Sequence, residues 1–166
     1  MTVATAAMTS HTVTWDPPPE RGRYAGQNGL EVMQRTLAEG GARSPISALM
    51  DFDLTRAELG HAVFEGRPGP QHVNPIGIVH GGFAATLLDA ALWTAVQTTI
   101  QPGEGNTTVD LKVNYFRPMT ADMAPVICEA KVVNRGGRTA FAEATIKDQA
   151  GKLYAHGAST LMILKL

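Results

Sequence analysis

The stretch that decides the fold runs from residue 80 to residue 100 and reads HGGFAATLLDAALWTAVQTTI. Phe83, Leu87, Leu92 and Val96 place apolar side chains on several sides of a helix with 3.6 residues per turn. A helix that is apolar nearly all round must be enclosed by other structure. The stretch is long enough to span a membrane, but an acid such as Asp89 at a bilayer centre costs about 2.5 to 3.5 kcal/mol. We therefore predict a buried helix of a soluble protein.

The segments on both sides of this helix supply a layer that can enclose it. Alternating apolar residues from Ile46 and a second run over 58–65 predict two strands before the helix. Four alternating runs separated by short turns predict four strands after it, at 107–116, 125–133, 138–147 and 152–164. Small side chains alternate from Ala140 to Ala144, as needed where a sheet curves tightly against a helix. We predict an α+β fold in which a curved antiparallel sheet of about six strands wraps a long central helix.

The first part of the chain has a different composition. Residues 1–27 are rich in Thr, Ala, Pro and Gly, and Pro17-Pro18-Pro19 excludes a helix there. Helical spacing begins after Asn28, a plausible cap, and stops near Gly40-Gly41. We predict a flexible arm over 1–27 and one domain over 28–166. The first fifteen residues lack the basic start and apolar core of a signal peptide, so we expect a cytoplasmic location.

The composition excludes several classes of function. The 166 residues include 14 basic and 15 acidic ones, so the basic footprint of a nucleic-acid or anionic-membrane binder is missing. One cysteine, Cys128, cannot form an internal disulfide or a cysteine zinc site. No G-x-S-x-G sequence is present, and the histidines lack metal-ligand spacing. We expect no metal, no cofactor and no serine-hydrolase chemistry.

Two features of the central helix can carry chemistry. Asp89 is the one ionisable residue in the twenty from 81 to 100, and it loses solvation there unless it is partnered. It is either a base or nucleophile, or an acid bonded to nearby hydroxyl or backbone groups. Gly81-Gly82 opens the helix and is predicted to leave its first N–H groups uncovered by side chains, which stabilises negative charge. The alternative is that the paired glycines merely allow close contact with the sheet.

Helix geometry bears on how these two features can cooperate. Gly81 and Asp89 are eight residues apart, which is about 12 Å along the axis at 1.5 Å per residue. One helix cannot easily aim both groups at one atom. Two copies of the helix that lie antiparallel across a two-fold axis can place Gly81 of one chain opposite Asp89 of the other. The spacing therefore predicts a homodimer with two composite sites.

The same residues carry a resemblance to a known family. Asn74, His80-Gly81-Gly82 and Asp89, with two strands before and four after, resemble the hotdog-fold acyl-CoA thioesterases. The match is to the phenylacetate-degradation (PaaI-like) branch of the 4-hydroxybenzoyl-CoA thioesterase superfamily and covers residues 28–166. The resemblance implies hydrolysis of an acyl-CoA to free acid and CoA, with CoA as part of the substrate, by a homodimer or homotetramer.

The resemblance also implies roles for individual residues. The Asn74 amide and the Gly81 N–H would hold the carbonyl oxygen as it becomes negative, and His80 would support the site. Asp89 would activate water or attack the thioester. Thr108 sits where the family often has a hydroxyl near the attacking water, although Thr107 is close enough to take that place.

Substrate contacts are implied at two places. Gly82, Phe83 and Trp93 would contact the acyl group near the helix. The phosphates and pantetheine of CoA would meet residues at strand ends, namely Arg117, Arg138 and Thr139.

Two other functions compete with hydrolysis. A non-catalytic acyl-CoA-binding or sensor protein would keep the pocket but tolerate loss of Asp89. An enoyl-thioester hydratase shares the resemblance at Asn74-Pro75-Ile76. It requires a histidine soon afterwards, where this chain has Gly77, and an acid at position 69, where this chain has glycine.

Overall fold

The computed structural model describes residues 8–15, 17, 26–40 and 43–166. Its three α-helices are α1 (Gly29–Ala38), α2 (Pro45–Leu49) and α3 (Gly81–Gln97). The seven strands in chain order are β1 (Phe52–Glu58), β2 (His61–Gly66), β3 (Glu104–Thr108), β4 (Lys112–Tyr115), β5 (Val126–Arg135), β6 (Thr139–Lys147) and β7 (Leu153–Lys165).

All seven strands belong to one antiparallel sheet that wraps α3. The strand order is β1-β2-β5-β6-β7-β3, and β4 also pairs with β7. Thr108 of β3 lies opposite Leu161, and Lys112 of β4 lies opposite Ala158, so β3 and β4 share one position beside β7. The sheet is therefore six strands wide. The predicted α+β fold with a curved antiparallel sheet around a central helix is confirmed.

The core lies between α3 and the concave face of the sheet. Ala140, Ala142 and Ala144 of β6 are buried, which confirms the predicted face of small side chains. On β7, a Cβ added to Gly157 would lie 3.2 Å from the side chain of Leu88, so the sheet and the helix are in direct contact there. Small residues let the sheet curve closely over the helix, and larger ones would push the two layers apart.

Two of the predicted strands have different boundaries in the structure. Residues 45–49 form α2 instead of a strand, because the Ser44 side chain accepts a hydrogen bond from the Ser47 N–H at 3.2 Å and Pro45 occupies the first helical position. The predicted strand 107–116 is divided into β3 and β4. Between them the Asp110 carboxylate accepts a hydrogen bond from the Thr160 N–H at 3.0 Å, which interrupts the strand pattern.

The beginning of the domain packs against the end of α3. Asn28 caps α1 as predicted, because its side chain accepts hydrogen bonds from the N–H groups of Leu30 and Glu31. The Gly29 N–H donates to the Ile100 carbonyl at 2.9 Å.

α3 itself ends at Gln97, three residues before the predicted end. The described residues 8–15 form neither helix nor strand, while residues 1–7, 16 and 18–25 of the predicted arm lie outside the described ones.

The end of the sheet beside β3 is held by an ion cluster around Glu104. Its side chain, 9% exposed, lies 2.5 Å from Arg135 and 2.7 Å from Lys165. The hydrogen bond from Lys165 is the largest influence that lowers the pKa of Glu104. A carboxylate with a lowered folded-state pKa stabilises the protein above its unfolded value of 4.5, and this contribution disappears as the pH falls through the folded value.

We therefore predict that Glu104→Gln lowers the free energy of unfolding at pH 7 by about 1 to 3 kcal/mol. Urea titrations between pH 7 and pH 3 should show a smaller loss of stability on acidification in the variant than in the wild type. Glu143→Gln, an exposed position on β6, is the matched control and should leave the pH dependence unchanged. Parallel pH curves for the wild type and Glu104→Gln would contradict the assignment.

Candidate active site

The loop that leads into α3 is folded back on itself. Val73 pairs with Val79, and the His80 N–H donates to the His72 carbonyl at 2.8 Å. The Asn74 side-chain oxygen accepts hydrogen bonds from the N–H groups of Ile76 at 3.1 Å and Ile78 at 3.3 Å. The oxygen of Asn74 thus stabilises the loop, and its NH2 group is the part that can donate to a substrate.

His80 is the N-cap of α3. Its Nδ1 accepts a hydrogen bond from the Gly82 N–H at 2.9 Å, so the neutral ring carries its proton on Nε2. The prediction that side chains leave both glycine N–H groups uncovered is therefore wrong for Gly82. The Gly81 N–H makes no hydrogen bond within the described residues. It is the free donor at the positive end of the helix dipole.

Tyr115 also belongs to this part of the site, and the sequence analysis did not select it. Its hydroxyl donates to the Gly81 carbonyl at 3.1 Å, and a Cβ added to Gly81 would lie 3.1 Å from the ring. Gly81 is therefore needed for close packing against Tyr115 as well as for opening the helix. An exposed aromatic residue at the end of a strand carries no local pattern that distinguishes this contact.

Asp89 lies two turns further along α3, and its partner comes from β3. The Thr108 hydroxyl donates to Asp89 Oδ1 at 2.9 Å, which leaves Oδ2 as an acceptor. Thr107 is exposed and does not make this contact, so the structure places Thr108 beside the acid. Asp89 is half-buried, as are Thr86 and Trp93 on the same side of the helix. This side of α3 is only partly covered by its own chain.

A cavity of about 470 Å³ lies beside the first turn of α3. Its size is within the range of small-molecule pockets. Asn74, His80, Gly82 and Phe83 line it, which brings four of the sequence-predicted residues to one place.

The other predicted substrate contacts lie outside that cavity. Trp93 is held against β3, where its Nε1 donates to the Asn106 carbonyl at 3.3 Å, and it is about 15 Å along the helix axis from Phe83. Arg117 is exposed and donates to the Leu153 carbonyl at 2.6 Å. Arg138 and Thr139 are exposed at the start of β6. None of these four side chains lines the cavity.

The geometry defines a class of protein. A curved antiparallel sheet surrounds one helix, that helix begins with a free N–H donor beside a cavity, and a carboxylate with a hydroxyl partner follows two turns later. These features together define a hotdog-fold protein able to stabilise negative charge on a bound carbonyl.

Comparison with known proteins identifies the family. Residues 76–155 match the model of the thioesterase superfamily. Human acyl-coenzyme A thioesterase 13 is 31% identical over 120 residues, which cover 72% of this chain and 84% of that protein. The chain therefore belongs to the thioesterase superfamily, and it is a thioesterase.

Solved structures show the same fold. The chain is 28% identical to a variant of the phenylacetic acid degradation protein PaaI from Thermus thermophilus, with a TM-score of 0.66 over 72% of this chain and 98% of that one. For PaaI of E. coli the identity is 19% and the TM-score 0.70, over 82% of this chain and 94% of the other. The predicted PaaI-like hotdog fold is thus confirmed.

Within the described part of the chain, no helix is both long and apolar enough to cross a membrane.

The contact between Thr108 and Asp89 can be tested with a matched pair of neighbouring threonines. Thr108→Val removes the donor to Asp89 and keeps the shape of the side chain, so we predict at least a tenfold loss of thioester hydrolysis, equivalent to about 1.4 kcal/mol of barrier. Thr107→Val changes an exposed residue of the same strand and should retain activity. Steady-state kinetics of both variants make the test, and equal losses in the two would refute the role of Thr108.

Proposed function

We propose that the chain hydrolyses acyl-CoA thioesters at a site shared between two copies. The Gly81 N–H and the Asn74 NH2 group hold the carbonyl oxygen. Asp89 of the partner subunit supplies the carboxylate that activates water or attacks the thioester. The observation that carries this proposal is the hydrogen bond from Thr108 to Asp89 Oδ1, on the side of α3 that its own chain leaves partly open. A carboxylate fixed in this way presents Oδ2 in one direction.

The reaction follows from these groups. Water adds to the thioester carbon while Asp89 takes its proton, and the carbonyl oxygen becomes negative against Gly81 and Asn74. The carbon–sulfur bond then breaks, CoA leaves as a thiolate that is protonated, and the free acid remains. In the alternative course Asp89 attacks the carbon itself, and water hydrolyses the resulting anhydride. An oxyanion donor such as Gly81 typically contributes about 2.7 to 4 kcal/mol to lowering the barrier.

Three features support a shared site. Gly81 and Asp89 lie about 12 Å apart along one helix. Strands β3 and β4 pair with β7 alone among the described strands, so their other edge has unpaired backbone groups that can bind a second copy. Val109, Tyr115 and Phe116 lie in or beside β3 and β4 and are each more than half exposed. Such a group of exposed apolar side chains is typical of an interaction surface.

Further assembly and CoA contacts belong to the same proposal. Phe141 and Met162 are partly exposed on the outer face of the sheet, where two dimers can associate as a tetramer. In this proposal Arg138, Thr139 and Arg117, which are all exposed, contact the phosphates and pantetheine of CoA. No separate cofactor is required, because CoA is part of the substrate, and we expect the reaction to take place in the cytoplasm.

The loop disfavours the hydratase alternative on structural grounds. Gly77 has a φ of 87°, a left-handed conformation that is strained for a side chain such as histidine. The histidine that a hydratase requires near this position therefore does not fit the loop as it is folded here. Hydrolysis remains the reaction that the residues support.

Asp89→Asn tests the catalytic role of the Asp89 carboxylate directly. The amide cannot accept the proton of water or attack the carbonyl, so we predict that turnover falls by about two orders of magnitude or more, within the usual range for general-base assistance. Release of free thiol from aromatic, short-chain and long-chain acyl-CoAs is the measurement. Glu143→Gln removes a carboxylate from the outer face of the sheet and serves as the control. Unchanged turnover in Asp89→Asn would exclude its catalytic role.

Subunit mixing tests whether the site is shared. Gly81→Pro removes the donor N–H, and proline suits the first position of a helix that follows an extended His80 at ψ 138°. Its Cβ would lie 3.1 Å from the Tyr115 ring, so circular dichroism must first show that the variant folds. Equal amounts of inactive Asp89→Asn and inactive Gly81→Pro form mixed dimers with one undamaged site each. After complete exchange we expect about one quarter of the wild-type activity, since half of the dimers are mixed and each has one of two sites intact.

The result for an unshared site is different. If Gly81 and Asp89 of one chain served the same reaction, every site in a mixed dimer would carry one of the two substitutions. Activity would then stay at the level of the separate variants. Native mass spectrometry of differently tagged subunits verifies that the exchange took place.

A further inference from the structure

Tyr115 contacts the start of α3 although it belongs to the sheet. It is the last residue of β4, where its Cα lies opposite that of Ala155 in β7. Its hydroxyl donates a hydrogen bond to the Gly81 carbonyl at 3.1 Å. The proposed reaction uses the N–H of Gly81 and gives this tyrosine no task. The contact nevertheless joins the residue that carries the proposed oxyanion donor to the edge of the sheet.

The hydroxyl of Tyr115 and the ring of His80 hold the two ends of one peptide group. The Gly81 carbonyl accepts from Tyr115, and the N–H of the same peptide group, which belongs to Gly82, donates to His80 Nδ1 at 2.9 Å. A peptide group is planar and rigid, so bonds at both ends fix its orientation. The free N–H of Gly81 belongs to the peptide group immediately before it. The two groups are joined at the Gly81 Cα, so fixing one restricts the other.

The glycines at the start of α3 make such support necessary. Gly81 and Gly82 are the first two residues of the helix, where N–H groups have no partner within the helix and the backbone frays. Glycine also has more backbone freedom than any other residue. A Cβ added to Gly81 would lie 3.1 Å from the Tyr115 ring, so the ring covers one side of the Gly81 Cα. The tyrosine thus restricts Gly81 by packing as well as by its hydrogen bond.

The chain that follows Tyr115 is itself anchored. The Phe116 N–H donates to the Tyr154 carbonyl of β7 at 2.9 Å. Further along, the Met119 carbonyl accepts from the Val79 N–H at 2.9 Å, directly before the N-cap of α3. The sheet and the entry to α3 are therefore joined at two points. Tyr115 projects from a segment that is fixed to both.

We propose that Tyr115 is a positioning residue, because its hydroxyl fixes the direction in which the Gly81 N–H points at the carbonyl oxygen of the substrate. The effect is on the transition state, since that oxygen becomes negative only as the thioester carbon becomes tetrahedral. A donor that points elsewhere stabilises this charge less, while the bound substrate loses little. The inference rests on the proposed hydrolysis and adds to it a residue that acts through Gly81.

Two matched substitutions isolate the hydroxyl. Tyr115→Phe removes it and keeps the ring against Gly81. Because Tyr115 is 55% exposed, this change should leave the melting temperature nearly unchanged. Tyr154→Phe is the control, since it also removes a tyrosine hydroxyl, one that contacts Asp148 at 3.4 Å instead of Gly81.

The experiment measures kcat and KM for thiol release from an acyl-CoA that the wild type hydrolyses. Tyr115→Phe should lower kcat about tenfold, a part of the effect of losing a whole oxyanion donor, and should leave KM within a factor of about two. Tyr154→Phe should change neither constant. The inference is overturned if kcat is unchanged in Tyr115→Phe, or if KM rises in place of the fall in kcat.

Tyr115 also lies in the surface proposed to bind a second copy, so assembly is measured separately by analytical ultracentrifugation. The fall in kcat should persist at every protein concentration at which Tyr115→Phe is dimeric. A loss of activity confined to concentrations at which the dimer dissociates would assign Tyr115 to assembly and overturn its role in positioning Gly81.

An NMR measurement keeps this inference distinct from the proposed hydrolysis. The ¹⁵N order parameters of the Gly81 and Gly82 amides report how firmly the start of α3 is held. They should fall in Tyr115→Phe and stay unchanged in Tyr154→Phe. Hydrolysis by the wild type without these changes refutes the role of Tyr115 alone. If no acyl-CoA is hydrolysed, the proposed function fails, and lower order parameters in Tyr115→Phe still support the positioning of Gly81, whereas equal ones refute it.

Discussion

The need to enclose α3 is the constraint on which the rest of the structure depends. Leu87, Leu88 and Leu92 are fully buried, and burying a leucine side chain contributes roughly 1.5 to 3 kcal/mol. These side chains point in different directions around the helix, so no single flat layer can cover them. The sheet has to curve, and the alanines of β6 together with Gly157 of β7 permit that curvature at close range. The seven-strand sheet is in this sense a consequence of one apolar helix.

The chemistry lies where this enclosure is incomplete. At the start of α3, His80 caps the N–H of Gly82 and leaves that of Gly81 available. On the partly open side of the helix, Asp89 is tolerated because Thr108 supplies a hydrogen-bond donor. A fully enclosed helix would provide neither a free N–H nor a place for a carboxylate. The fold therefore leaves two polar positions uncovered on an otherwise buried element, and the proposed reaction uses both.

The sequence predicted those parts of the protein that local patterns determine. Helix α3 and strands β5 to β7 follow from periodicity. Gly81 and Asp89 were selected from their residue types on an apolar helix, and Asn74 from the resemblance to the thioesterase family. The strand expected from Ile46 begins only at Phe52, because the Ser44 cap favours a helix over 45–49. The strand expected over 107–116 is divided, because Asp110 contacts Thr160, fifty residues away. Contacts of this second kind are not visible in a local pattern. The same reason explains why the sequence analysis passed over Tyr115, whose partner Gly81 belongs to α3.

The polar side chains of Asp89 and His72 have opposite surroundings. Asp89 is half-buried on a side of α3 that its own chain leaves open, whereas His72 is buried within one chain, between Gly69 and Phe83. On the proposed mechanism the Asp89 carboxylate acts across the dimer, whereas the His72 imidazole belongs to the cavity wall of one subunit. Assembly then controls whether the reaction occurs. Since the two groups lie on different elements and share no hydrogen-bond partner, a change in the 3-10 turn Pro70–His72 should leave the carboxylate that drives hydrolysis undisturbed.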